Sequence, residues 1–329
     1  MTQHEAFLTV RDLQISVQKD GQVLYPVNAV DLEIPRSTVV GLVGESGCGK
    51  SMTAKAILGL PSKGARITGG SVMLQDTDLT KCNSRTLQGI VGKRISMIFQ
   101  APMTSLNPTI RVGKQVEEVL LLHTDLSKAQ RKQRVIEMLE KVGIPDAAAR
   151  YRSYPHQLSG GLRQRVVIAM AMICEPELLI ADEPTTALDV TIENQILKLM
   201  CKLKQEHETS ILMISHNLGV ISAMCDVVHV MYLGEIVETA PTKALLSIPM
   251  HPYTQGLIVC LPKISKEHQS LAHIPGSVPD LAHIPAGCRF CARCSQATER
   301  CRSEHPPLVD VGDGHLVRCF QCEKRMEQP

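Results

Sequence analysis

Apolar and polar residues alternate near the start of the chain and then give way to unbroken apolar runs. "LTVRDLQISV" alternates, "GQVLYPV" follows a Lys-Asp-Gly turn signal, and "AVDLEI" alternates again before Pro35. Residues 8–34 are therefore expected to form short strands of a small antiparallel sheet. The run "TVVGLV", Thr38 to Val43, reads as a buried strand, followed by a helix carrying Met52, Ala56, Leu58 and Leu60. Between Pro102 and Pro155 the period becomes helical. In "LSKAQRKQRVIEMLEKVGI", Ser127 with Gln130 has the form of a capping box, and Val135, Met138, Leu139 and Val142 follow at helical spacing. Residues from about 102 to 160 are expected to be a helical insertion. "ELLIAD", "TIENQILKLMCKLKQE" and "SILMIS" restore the rhythm of a parallel sheet covered by helices, and "DVVHVMYLGEIVETA" reads as a hairpin. After Pro249 the chain turns to frequent Pro, His and Cys with short apolar runs, which places a domain boundary there: 1–249 and 250–329.

Composition narrows the class. A chain of 329 residues holds a large α/β core and a smaller appendage, since single cores stop growing at about 250–300 residues. The absence of Trp, only four Phe and five Tyr, and a net charge of +2 without a long basic block argue against nucleic acid as a partner. No run reaches the ~18–20 uncharged apolar residues of a membrane span, and "MTQHEAF" is no signal peptide, so a cytoplasmic location is expected. Six of the twelve cysteines are scattered singly and six crowd between Cys288 and Cys322. In a reducing compartment such a crowd reads as metal.

The chemistry begins between the strand at Thr38–Val43 and the helix after it. Gly44-Glu45-Ser46-Gly47-Cys48-Gly49-Lys50-Ser51, with Met52 next on the helix, fits G-x-x-x-x-G-K-[ST]. Backbone N–H groups and a helix N-terminus there face phosphates, Lys50 reaches the β- and γ-phosphates, and Ser51 ligates Mg²⁺. A glycine turn can match this pattern by chance. "LLIADE", Leu178 to Glu183, removes most of that doubt, because unpaired acids are costly to bury at a strand end. Asp182 is suited to the Mg²⁺ shell and Glu183 to polarising the attacking water.

Between these motifs lies "LSGG", Leu158 to Gly161, which on physical grounds alone is Ser159 and two glycines, Gly160 and Gly161, opening a helix. Here the chain resembles the ATP-binding subunits of ATP-binding-cassette transporters, in which LSGG is the signature motif. The resemblance covers nearly the whole chain. It implies that Gln100 is the Q-loop glutamine touching metal and water, that "TALD", ending at Asp189, is the D-loop, and that His216 is the switch histidine. It also implies the fold: a parallel core sheet, an antiparallel β subdomain and a helical subdomain. One chain then carries half-sites facing two ways, so hydrolysis needs a second cassette, and loss of the γ-phosphate drives a membrane partner between two conformations. The chain departs from the family pattern at Val17, where an aromatic usually stacks on adenine; Tyr25 on the next strand can substitute. An acid is common where Ala101 stands, and Gln where Leu162 stands.

The tail extends the resemblance. "HPYTQGL", His251 to Leu257, and the cysteines after it resemble the oligopeptide, dipeptide and nickel importer branch, and the chain is similar to its dipeptide-type subunits. In that branch Cys288, Cys294, Cys301 and Cys319 match a pattern associated with a [4Fe–4S] cluster. By spacing alone, Cys288-x-x-Cys291 and Cys319-x-x-Cys322 equally form a Cys₄ Zn²⁺ site. The expected protein is the ATPase of an importer, peripheral on the cytoplasmic membrane face. Its partners would be a second, homologous cassette chain, two permease subunits and, indirectly, an extracytoplasmic solute-binding protein. The alternatives are a soluble cassette ATPase acting on ribosomes or nucleic acid, and an iron–sulfur protein regulated by nucleotide.

Overall fold

Two long strands stand where the sequence pattern suggests three short ones: β1 (Ala6–Lys19) and β2 (Gln22–Pro35). Between them Asp20 and Gly21 both take left-handed φ, 51° and 79°, as a tight hairpin turn requires. The expected break near Asn28 is only one residue wide, since Ala29 alone turns left-handed, at φ 48°, and the strand goes on.

The structure is a computed structural model and describes residues 6–100, 105–186, 188–260 and 274–322. The chain continues through β3 (Val39–Val43), α1 (Lys50–Ile57), β4 (Ala65–Leu74), β5 (Thr77–Asp78), α2 (Ser84–Ile90), β6 (Ile95–Ile98), α3 (Val112–His123), α4 (Lys128–Lys141) and α5 (Ala147–Arg150). It proceeds through α6 (Gly160–Met172), β7 (Leu178–Asp182), α7 (Val190–His207), β8 (Ser210–Ser215), α8 (Leu218–Met224), β9 (Val227–Tyr232) and β10 (Glu235–Pro241). It closes with α9 (Thr242–Ser247), α10 (Pro252–Val259), α11 (Glu299–Ser303), β11 (Val309–Asp310) and β12 (Leu316–Val317). Among the described residues no helix is long and apolar enough to cross a membrane.

Two compact units result. The first holds residues 34–38 and 81–213. In it β6 and β7 pair in parallel, with Ile95 opposite Leu178, and β8 lies beside β7. Helices α3 and α4 lie within residues 102–160 and pack on each other and on α6, which follows that stretch, burying Val116, Leu120, Val135, Leu139 and Val166. The capping box forms: Ser127 N donates to Gln130 Oε1 at 2.9 Å, and Gln130 N to Ser127 Oγ at 3.4 Å.

The second unit holds residues 6–33, 39–80 and 214 onward. One sheet has the order β2-β1-β4-β5, with β1 and β4 antiparallel and bulged where Gly70, at φ 80°, faces Asp12, at φ 47°. In another, β3 pairs in parallel with β9, and β10, β12 and β11 follow antiparallel. The expected hairpin is β9–β10. Its turn, Leu233-Gly234, is left-handed at both residues, φ 43° and 84°, which is costly for a branched side chain like leucine. The Leu233 carbonyl accepts from Arg289, and Gly234 N donates to Cys48 O at 2.9 Å, so its surroundings hold the turn in place.

β10 also carries two buried acids, Glu235 and Glu238. Glu238 accepts from the backbone N of Met250 at 2.8 Å and of His251 at 3.0 Å, and lies 2.7 Å from His315 Nε2. Glu235 accepts from Asn28 Nδ2 at 3.1 Å and pairs with Arg289 Nε and His305 Nε2, each at 2.8 Å. Buried carboxylates persist only with such partners, and nearly all of theirs lie in the tail. The two acids fasten Met250, His251, Arg289, His305 and His315 to the sheet. Glu238→Ala is expected to lower unfolding free energy by about 3–5 kcal/mol, the range for breaking a buried charged network. Chemical denaturation of the full chain measures this; a loss under ~1 kcal/mol would contradict the fastening role.

Candidate nucleotide site

β3 is buried along its length and ends at Val43, and α1 starts at Lys50 with Gly49 as its N-cap. The intervening backbone runs so close to its neighbours that side chains would not fit. A Cβ on Gly44 would stand 2.1 Å from Met231 O, and one on Gly49, at φ 108°, would stand 2.5 Å from Pro26 O. The 44–49 loop is thus lodged against the end of β9, the 233–234 turn and β2. Lys50 is 5% exposed, and its Nζ donates to the carbonyls of Gly44 at 2.8 Å and Glu45 at 2.9 Å. Burial raises the Cys48 thiol's pKa despite nearby Lys50, which keeps Cys48 neutral in a loop suited to anions. Ser46 and Gly47 are exposed, and Ser51 and Met52 are half-buried on the first helical turn. On the neighbouring strands Val17 is half-buried and Tyr25 is 41% exposed. His216 is exposed just after β8, in this same unit.

The other unit gathers the remaining candidates. Asp182 is 2% exposed at the end of β7, and Glu183 follows with a left-handed φ of 49°. Gln100 Nε2 donates to Glu183 Oε2 at 2.9 Å, so two residues far apart in sequence meet. Thr186 Oγ1 donates to the same oxygen at 2.9 Å, and buried Gln164 Nε2 donates to Pro184 O at 2.6 Å. Neither partner was singled out from sequence; a hydroxyl three residues beyond the acid was the available signal for Thr186. Ser159 caps α6, accepting from Leu162 N at 3.4 Å, with Ser159 and Gly160 exposed and Gly161 half-buried against Ile192. Asp189 caps α7, accepting from Ile192 N at 2.9 Å. Ala101, as well as Ala187 of "TALD", lies outside the described residues.

The tail reaches the loop. "HPYTQGL" begins α10, where His251 Nδ1 accepts from Tyr253 N at 3.1 Å and the fully buried Tyr253 accepts from Glu45 N at 2.9 Å through its hydroxyl. Tyr232, Tyr253 and Phe290 form an aromatic cluster with ring centroids 4.7–5.4 Å apart. Cys288, Cys291, Cys294, Cys301 and Cys319 all line one cavity of about 10 Å³. Their number and chemistry suit an iron–sulfur or zinc group. Among the described residues no three His, Cys, Asp or Glu side chains are arranged to hold a metal ion, so the expected ligand set of Cys288, Cys294, Cys301 and Cys319 is unsupported here. The thiols have other partners: Cys319 hydrogen-bonds Cys322, which lowers its pKa, and Cys301 Sγ stands 3.2 Å from Thr298 Oγ1. Burial pushes Cys288 up to about 12, which holds it as the thiol.

Comparison with known proteins settles the family. Residues 27–186 match the ABC transporter family and residues 237–301 the oligopeptide/dipeptide transporter C-terminal region. The oligopeptide transport ATP-binding protein AppD of Bacillus subtilis (strain 168) is 47% identical over 96% of this chain and 97% of its own length. The chain belongs to the ABC transporter family. It is an ATPase of that family, with the oligopeptide/dipeptide type of C-terminal region. The dipeptide transport ATP-binding protein DppD of Bacillus subtilis (strain 168) is 44% identical over 98% of this chain and 97% of its own length. The ABC-type α/β fold also matches the ATP-binding cassette MJ0796, solved as a dimer in a post-hydrolysis state bound to ADP and Pi. That match has a TM-score of 0.65 and 25% identity over 71% of this chain and 98% of that one. The ribosome- or nucleic-acid-directed and iron–sulfur alternatives gain no support from these transport ATP-binding relatives.

The close approach at Gly44 generates a test. Gly44→Ala is expected to weaken ATP binding more than ten-fold. Gly47→Ala is expected to cost less, because its Cβ meets nothing within 4 Å and only its φ of 81° is strained. Calorimetric titration of both variants decides; equal losses would place the constraint elsewhere.

Proposed function

We propose that this chain is the ATP-hydrolysing subunit that energises import of di- or oligopeptides, or a related small solute, across the cytoplasmic membrane. The observation that carries this reading is end-to-end similarity, through the Cys-rich tail, to oligopeptide and dipeptide transport ATP-binding proteins. Residues 1–249 serve as the cassette, with a helical subdomain at about 102–160, and 250–329 as the branch-specific extension. The chain works peripherally on the cytoplasmic face. Its partners are two permease subunits and a homologous second cassette, and the solute comes from an extracytoplasmic binding protein.

The residues divide the work by their chemistry. Gly44 to Met52 cradle the triphosphate through backbone N–H groups and Lys50. Ser51, Gln100 and Asp182 offer the hard oxygen donors suited to Mg²⁺, which when bound neutralises charge on the β- and γ-phosphates. Glu183 is the general base, and the bonds from Gln100 and Thr186 to one of its oxygens orient the carboxylate. His216 acts with it in turnover. Ser159, Gly160, Gly161 and Asp189 act across a cassette pair, and exposure of Ser159 and Gly160 at the start of α6 supports this role. Cys288, Cys294, Cys301 and Cys319 are the residues assigned to a [4Fe–4S] group, with Zn²⁺ as the other occupant. The thiolate chemistry of the set supports the assignment, and no step of turnover passes through it.

Two measurements test the reading. In the reconstituted complex, peptide delivered by its binding protein is expected to stimulate ATP turnover, and Glu183→Gln to bind ATP while losing at least ~100-fold in kcat. Wild-type-like turnover by this variant would remove Glu183 from its role. Iron, sulfide and zinc assayed on anaerobically purified chain are expected to give about four iron and four sulfide per chain; zinc alone would favour the second occupant, and neither would end the metal assignment.

A further inference from the structure

Glu45 is the acidic residue of the loop read as holding phosphate. It places a carboxylate on the backbone that approaches a polyanion, and like charges in close quarters repel. The tail answers that charge. Arg293 Nη1 donates to Glu45 Oε2 at 2.7 Å and Nη2 to Glu45 Oε1 at 3.0 Å, a two-pronged pairing of guanidinium and carboxylate. The Arg293 side chain is only 5% exposed, and its Nε donates to Pro275 O at 3.0 Å. Its guanidinium also lies 5.9 Å from the Tyr232 ring centroid and 6.0 Å from that of Phe290. Arg293 is thus fixed before it meets Glu45. The hydrogen bond from Glu45 N to the Tyr253 hydroxyl holds the same residue by its backbone.

We infer that Arg293 is a positioning residue for nucleotide binding: it neutralises Glu45 and fixes the first turn of the phosphate loop, making the Cys-rich tail part of the ATP site. This rests on the reading of residues 44–52 as that site. A surface ion pair would do little. This one is largely withdrawn from water and two-pronged, so its loss leaves an uncompensated acid beside the phosphates.

The test is ATP affinity of the full chain in the presence of Mg²⁺, by equilibrium titration. Arg293→Ala is expected to raise the ATP Kd about ten-fold, the size of one charge-assisted pair, and the loss should shrink as salt screens Glu45. Adding Glu45→Gln to Arg293→Ala removes the orphaned charge and is expected to recover most of the affinity. A merely structural arginine would lower the melting temperature, leave the Kd alone, and gain nothing from the second change. An unchanged Kd in Arg293→Ala, or a double variant as weak as the single, overturns the inference. If Arg293→Ala does not fold, Arg293→Lys keeps the charge and loses the two-pronged contact; about a three-fold rise supports the inference and none refutes it. Lys50→Ala separates the two readings. If Lys50→Ala binds ATP normally, the assignment of the loop itself fails. If only the Arg293 variants do, the loop stands and the inference falls.

Discussion

The nucleotide loop depends on a steric constraint: its backbone runs where no side chain can go. Gly44 faces Met231 O and Gly49 faces Pro26 O at distances a Cβ would violate, and Gly234 N closes the remaining side by bonding Cys48 O. Protein interiors are packed densely enough that such contacts are not relieved by small shifts. Backbone donors are held in place before any phosphate arrives, and binding then carries little ordering cost. The left-handed Leu233 belongs to the same device, because its strain is sustained by the contacts that support the loop.

The second support is electrostatic. Two acids on one strand, Glu235 and Glu238, draw in backbone and side-chain donors from the tail. Among the described residues of the tail, Tyr253, Phe290, Val317 and Phe320 are the large apolar side chains that are buried, so charged hydrogen bonds and the Tyr232–Tyr253–Phe290 cluster do the work that a hydrophobic core does elsewhere.

Much of this was legible in the sequence. Buried strands before Gly44 and Asp182, the capping box at Ser127 and the hairpin at 226–240 all follow from period or motif, whereas the bond between Gln100 and Glu183 was not anticipated. β4 was missed because Gly69-Gly70 looks like a turn; in the structure Gly70 accommodates the bulge of β1, with its Cβ position 2.3 Å from Asp12 O. α1 ends sooner than its apolar spacing suggests, leaving Leu60 51% exposed. The tail's attachments were hidden for a different reason. Nothing in the sequence marks Glu45, Glu235 and Glu238 as paired, and no pattern within a window of residues announces partners such as His305, His315 and Arg293, which lie 70, 77 and 248 positions away. The thiol crowd was legible as a crowd, while its internal arrangement depends on local bonds such as Cys319 to Cys322 that spacing does not encode.

The bond between Arg293 and Glu45 closes a sequence separation of 248 residues. A ribosome adding about 5–20 residues per second takes about 12–50 s to cover that distance. Throughout that interval the nascent chain has its loop but not the arginine that braces it, so the order of synthesis makes the braced loop one of the last features the polypeptide can complete.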